Sequence, residues 1–285
     1  MPRVKIIKSG LMTSIQDKGR IGLSYYAIPN SGYMLPSKAE LANFLVGNKK
    51  NDALLECTLI PPQLEFIDDN CLSITGDDFN FMVNDSKVSR NKTIYVKKGD
   101  TLKGSPQKNA HLAYIAFQGK LGGQKHYASQ STYANANLGG INGMFLKEGD
   151  IISIDNKNLS HVNRKIKENW TEVTKEIIQF HKGPEFKFLD NKSLSILFNS
   201  EYKISSSSNR MGARLEGSRL TTKNYQLEHS VPVLPGFIQL PPSGQPIIVL
   251  KDGQTTGGYP RIGYINIQDL EKVVGIGKTI IFKQL

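Results

Sequence analysis

Runs of alternating apolar and polar residues, each only a few positions long and closed by turn residues, recur from one end of the chain to the other. A period of two puts successive side chains on opposite faces of a strand, so the pattern predicts a mainly β protein, a sandwich or barrel. FNFMV (79–83), Asn84-Asp85-Ser86 and KVS (87–89) read as a hairpin. A strand, a Gly-Asp turn and a second strand are expected over 96–104 (VKKGDTLKG) and again over 145–155 (FLKEGDIISID), with glycine supplying positive φ. KTIIF (278–282) is the last predicted strand.

Helical spacing is confined to short stretches. Residues 36–47 (PSKAELANFLVG) predict a helix with Pro36 in its first turn, Leu41, Phe44 and Leu45 on one face, and Gly47 as the left-handed stop. Residues 266–275 (NIQDLEKVVG) predict another, with Asn266 as cap, Asp269 in the first turn, and Leu270, Val273 and Val274 on one side. The polar stretch 156–176 has the weakest strand pattern and a dense charge, which marks a domain junction.

Length supports that junction: 285 residues, at roughly 150 per domain, suggest two domains. The expected division is 1–165 and 166–285. No apolar run approaches the roughly 18 residues of a bilayer-spanning helix, and the start lacks a signal-peptide pattern, so a cytoplasmic protein is expected. The net charge of +11 invites a nucleic-acid reading. Only eight of the 36 cations are arginine, no lysine run exceeds two, and acids are interleaved, so surface lysine is expected, with no nucleic acid or membrane as partner. Cys57 and Cys71 stand apart from any ligand spacing and read as buried apolar residues. The histidines show no metal-binding spacing, so no metal is expected.

Gly277-Lys278-Thr279 resembles the end of a phosphate-binding loop, but Lys272 stands where the first glycine should be and a strand follows. No biotin-attachment Met-Lys-Met tip or GxSxG elbow occurs. Four polar, glycine-containing stretches remain, each beside a predicted strand: SIQDKGR with PNSG (14–20, 29–32), ASQSTYANANLGG (128–140), SNRMGARLEG (208–217) and KDGQTTGGYP (251–260). Loops on a barrel rim are where such folds place their sites. Arg210 and Arg214 could each grip a carboxylate with a fork, or pair with Glu216 or Asp252 to hold the loop. Gln254 can donate to and accept from a ligand amide. Thr255, Thr256 and the N–H groups of Gly257 and Gly258 could hold an oxyanion. Asp252 could act as a base or orient Lys251. Alternatively, Gly-Gly-Tyr-Pro is a tight turn and Tyr259 a buried aromatic. Asn209 and Tyr259 complete the candidate binding set.

At SIQDKGR, PNSG, LLEC, ITGDDF, STYANANLGG, LKEGD, SNRMGARLEG, PGFIQLPPSGQPIIVLKDGQTTGGYP and DLEKV, the chain resembles a family known under several names. These are KipA, allophanate hydrolase subunit 2, the C subunit of 5-oxoprolinase, and the second half of the carboxyltransferase domain of urea carboxylase. The resemblance runs from residue 14 to about 275. It implies two cyclophilin-like β-barrel domains, a KipI-like partner protein, and, in the oxoprolinase form, a further LamB/YcsF-like partner. The implied activity is ATP-dependent opening of 5-oxoproline to glutamate, with Gln254, Thr255 and Thr256 on the ring amide, Arg210 or Arg214 on the carboxylate, and Asp252 managing a proton. Other family roles are carboxyl transfer from a partner's carboxybiotin to urea or a related amide, and non-catalytic antagonism of a KipI-like inhibitor of a sensor kinase. Family members commonly carry Gly-Ser-Arg-Ser-Thr where this chain has Ala128-Ser129-Gln130-Ser131-Thr132, and an acid where Leu35 stands, so no role is carried to those positions.

Overall fold

The computed structural model describes residues 1–155, 161–167 and 175–284. Most of the expected junction at 156–176 lies outside the described residues. Two compact units divide the chain, Met1–Arg20 with Ser31–Trp170, and Ile21–Asn30 with Thr171–Leu285. The protein is mainly β, as the alternating pattern predicts.

In the first unit, a five-stranded sheet runs Met12–Gln16, Leu54–Thr58, Leu112–Phe117, Asn70–Gly76, Thr93–Val96. A seven-stranded sheet includes Ile151–Asp155, Arg3–Lys8, Gln63–Phe66 and Thr101–Lys103 as neighbours. Their shared core holds Ile6, Phe66, Phe79, Phe81, Phe117 and Ile154, each worth about 1.5–3 kcal/mol on burial. Leu112–Phe117 is buried on both faces because the helix Pro36–Leu45 covers the side away from that core. Ser73 and Thr75 on the neighbouring strand donate their hydroxyl protons to helix carbonyls at Ala42 and Lys38, both at 2.7 Å.

The helix exists where the spacing predicts it, but its buried face differs. Ala39, Ala42 and Leu45 face the sheet, because small side chains let the helix approach closely enough for those hydroxyl bonds. Phe44 is half exposed and lies under the Arg164 guanidinium at 4.4 Å. Asn84 and Asp85 take φ of 48° and 65° and close the expected hairpin, with pairing resuming at Ser86. The Gly99-Asp100 turn connects Thr93–Val96 to Thr101–Lys103, which belong to different sheets. The strand expected at 145–147 is not formed; Leu146 N–H bonds to Thr13 O outside any ladder.

The second unit is a closed barrel of Lys175–Lys182, Arg261–Ile265, Phe237–Gln239, Ile247–Val249, Gly212–Glu216, Tyr202–Ile204 and Thr279–Gln284, the last pairing back in parallel with the first. Alternation places Ile178, Phe180, Ala213, Leu215, Ile238, Ile248 and Phe282 in the core. Gly263 is required there, because a Cβ at that position would lie 2.1 Å from Phe180 Cζ. Residues 267–273 form a 3₁₀ rather than an α helix. The Asn266 side chain contacts His181 Nε2 at 3.0 Å instead of capping it. An α-helix that the pattern did not predict, Asn191–Asn199, is capped by Asp190, whose carboxylate accepts from Ser193 N–H at 2.7 Å.

Tyr202 is fully buried, its hydroxyl has no hydrogen-bond partner among the described residues, and burial pushes its phenol up to about 12. Tyr202→Phe removes that uncompensated polar group and should stabilise the unit by about 1 kcal/mol, read as a higher melting temperature. Arg261 forks onto Glu185, with Nε at 3.0 Å from Oε2 and Nη2 at 2.9 Å from Oε1. Burial alone would raise the Glu185 carboxyl, but the Arg261 hydrogen bonds and charge outweigh it and hold the group below its ordinary value. The unfolded chain therefore takes up this proton at higher pH than the fold does. The pair's stabilisation is complete above the ordinary glutamate range and is lost as pH falls through the folded value. Glu185→Gln should flatten the acid limb of a stability-against-pH curve.

Candidate functional site

The outer face of the second unit carries the candidate site. On Gly212–Glu216, Ala213 and Leu215 point into the core, which turns Arg214 and Glu216 outward. Arg214 pairs with Ile247, and Ile247 pairs with Gln239, so the three form one row across three strands. Two strand spacings put the Arg214 and Gln239 backbones about 10 Å apart, with Ile247 as the floor between them. The row lines a cavity of about 570 Å³, whose walls also include Asn209, Met211, Glu216, Pro241, Gln254 and Tyr259.

SNRMGARLEG and KDGQTTGGYP meet in this unit. Asp252 N–H donates to Arg210 O at 2.9 Å, and Leu250 N–H to Met211 O at 3.0 Å. The Arg210 side chain bonds Asp252 through Nε to Oδ2 at 2.7 Å and Nη2 to Oδ1 at 3.3 Å, in a largely buried pair. Asn209, Arg214, Gln254 and Tyr259 line the cavity, whereas Arg210, Lys251, Asp252, Thr255, Thr256, Gly257 and Gly258 are not among its lining residues. Thr256–Gly257 instead pairs with Val231–Pro232, Thr255 O accepts from Val233 N–H, and Gly258 O accepts from Leu227 N–H.

The Arg214 guanidinium has no carboxylate within 4.0 Å among the described residues. At the other end of the row, Gln254 Nε2 donates to Gln239 Oε1 at 2.8 Å. That bond leaves Gln254 Oε1 as an acceptor and the buried Gln239 Nε2 as a donor without a partner among the described residues. A Cβ at Gly257 would stand 2.7 Å from that nitrogen, so the glycine makes room for the Gln239 amide. Chemically, the cavity offers a planar cation, an amide pair and an apolar floor.

Gln239 and Glu216 are lining residues that the candidate set lacked. The signal for Gln239 lies in its alternation with Ile238, which turns inward. For Glu216 it is the two-residue step from Arg214.

Residues 14–20 and 128–140 meet in the first unit. Asp17 Oδ1 accepts from Gly19 N–H at 2.8 Å and from the Ser129 and Ser131 hydroxyls at 2.6 Å, while Oδ2 accepts from Gln130 N–H at 2.7 Å. Gln130 turns its amide inward to Leu121 O at 2.9 Å. Ala128 and Tyr127 take φ of 63° and 53°, so Ala128 occupies a backbone conformation that favours glycine. Leu35 N–H donates to the Tyr114 hydroxyl at 2.8 Å, and that hydroxyl donates to Glu56 at 2.8 Å.

Residues 26–284 match the family described as "Carboxyltransferase domain, subdomain A and B". The chain is 34% identical to the C subunit of 5-oxoprolinase from Escherichia coli strain K12 over 290 residues, covering 99% of this chain and 91% of that protein. It is 32% identical to the C subunit of 5-oxoprolinase from Haemophilus influenzae, covering 95% and 87%. It superposes on the crystal structure of the Kluyveromyces lactis urea amidolyase with a TM-score of 0.90 at 26% identity, over 99% of this chain and 19% of that one. Other solved chains that it matches over 99% of its length are about twice as long, the chain spanning 55–56% of them.

Proposed function

Because this chain belongs to the carboxyltransferase family of subdomains A and B, we propose that it is the C subunit of an ATP-dependent 5-oxoprolinase that opens 5-oxoproline to glutamate. The observation that carries this reading over urea carboxylation is the cavity's pairing of Arg214 with the Gln239–Gln254 amides. 5-Oxoproline carries a carboxylate and a ring amide in one small molecule, and the ring holds the amide N–H and C=O on a common edge. A guanidinium fork suits the first, and the exposed Gln254 amide, whose Oε1 is left to accept from the ring N–H, suits the second. Urea has no carboxylate, so it would leave Arg214 without a role.

A lactam is a resonance-stabilised amide, so water attacks slowly until the carbonyl oxygen is activated, and ATP supplies that activation. Gly277-Lys278-Thr279 leads into the strand Thr279–Gln284 rather than the helix a phosphate loop needs, so the proposal assigns the ATP step to partner proteins. These are a KipI-like protein and a LamB/YcsF-like protein, in the cytoplasm. The Arg210–Asp252 clamp keeps the two loops beside the cavity in register for that partner-dependent step.

The test is co-expression with both partner types and an assay of ATP-dependent glutamate formation from 5-oxo-L-proline. Turnover that needs all three chains supports the reading. Carboxylation of urea by a streptavidin-captured complex, with no glutamate formed, would overturn it.

A further inference from the structure

We propose that the same cavity holds the ring-opened product as a zwitterion, with Glu216 receiving the ammonium created by ring opening while Arg214 holds the carboxylate. The inference rests on the oxoprolinase reading above and adds a residue that the lactam itself does not need. Opening the ring adds water across the C–N bond: the water oxygen completes the new carboxylate at the former carbonyl, and nitrogen leaves with the bonding pair and its one hydrogen and takes up both protons of the water. In sum, CO–NH plus H₂O becomes COO⁻ plus NH₃⁺, so a neutral group turns into a cation inside the site.

Glu216 stands where that cation would appear. Arg214 and Glu216 are two residues apart on one strand and share its outward face, which puts their backbones about 7 Å apart. Both line the cavity. The new ammonium and the original carboxylate are attached to the same carbon, so a cation and an anion side by side match them as a pair. Ser205 Oγ donates to Glu216 Oε1, which fixes the carboxylate and leaves Oε2 without a protein donor among the described residues. Lys203 is the cross-strand partner of Glu216, yet no ion pair within 4.0 Å joins them among the described residues. The lactam nitrogen is uncharged and gains nothing from a carboxylate. Glu216 therefore distinguishes product from substrate, and Arg214 does not.

Isothermal titration of the purified chain with L-glutamate, glutarate and 5-oxo-L-proline tests this. Glutarate keeps both carboxylates of glutamate but has no ammonium. In the wild type, glutamate should bind about 10-fold or more tightly than glutarate, the worth of a charge-assisted hydrogen bond. Glu216→Gln, which keeps an oxygen for the Ser205 hydroxyl, should erase that preference while 5-oxoproline affinity stays within about 2-fold. Equal binding of glutamate and glutarate by the wild type, no detectable glutamate binding, or parallel losses for all three ligands in Glu216→Gln would each overturn the inference. A complex that opens 5-oxoproline but fails this titration overturns Glu216's role alone. A chain that passes it yet supports no ring opening overturns the functional reading alone.

Discussion

An Arg210→Ala chain is expected to unfold about 3 kcal/mol more easily than the wild type, at the lower end of what breaking a buried ion pair costs. Both side chains are about seven-eighths buried, with 15% and 12% exposed, and they meet in a two-point fork. Removing the guanidinium strands the Asp252 carboxylate among backbone groups that already bond one another. The loss should therefore exceed that from deleting the exposed Lys175–Glu201 pair, where solvent screens both charges. Arg210→Met with Asp252→Leu should recover most of it, because apolar replacements of both partners strand nothing. Urea unfolding of the second unit measures this as a lower midpoint at an unchanged slope. Should Arg210→Ala keep its midpoint and lose only ring opening, Arg210 acts on the reaction and not on the loop. The two roles considered from the sequence are thereby separated.

The residues that were legible in the sequence are those whose roles depend on near neighbours. Turn chemistry identified Asn84-Asp85, and period-two alternation identified the last barrel strand, expected at 278–282 and found at Thr279–Gln284, because each needs only a few consecutive positions. The helix at 36–45 was legible as a helix, but its face was not. Burial of Ala39 and Ala42 in preference to Phe44 is decided by two hydroxyls, Ser73 and Thr75, some thirty positions away. The helix Asn191–Asn199 follows Phe-Lys-Phe-Leu, whose alternation reads as strand, and its Asp190 cap is a single residue against that pattern. At the site, the sequence offered Arg210 two carboxylate partners, Glu216 and Asp252, and which of them lies within reach is a matter of folded geometry. Gln239 meets Gln254 only because the barrel closes, and its alternation with Ile238 says which way it points but not what it meets. Ala128 was visible as a departure from a glycine, and its φ of 63° shows the backbone reason that glycine suits the position.

Arg214→Met should raise the KM of the assembled enzyme for 5-oxo-L-proline about 100-fold and change kcat much less, because in the proposed function the side chain grips a carboxylate that does not react. A fork contributes two charge-assisted hydrogen bonds of about 1.5–3 kcal/mol each, and exposure at the cavity mouth discounts their sum towards about 2.7 kcal/mol, which is about 100-fold. The fold should tolerate the change. Arg214 points outward, its backbone N–H is held by the Ser208 hydroxyl at 3.0 Å, and the core contacts of its strand come from Ala213 and Leu215. Arg214→Lys should restore only part of the affinity, since an ammonium supplies charge without the planar fork. Pyrrolidin-2-one, the same lactam without its carboxylate, gives the ligand-side control: its weak binding should be the same to wild type and Arg214→Met. A KM within about 3-fold of wild type in Arg214→Met, measured with intact complex and normal melting, would place the substrate carboxylate elsewhere and remove the reason for preferring 5-oxoproline over urea.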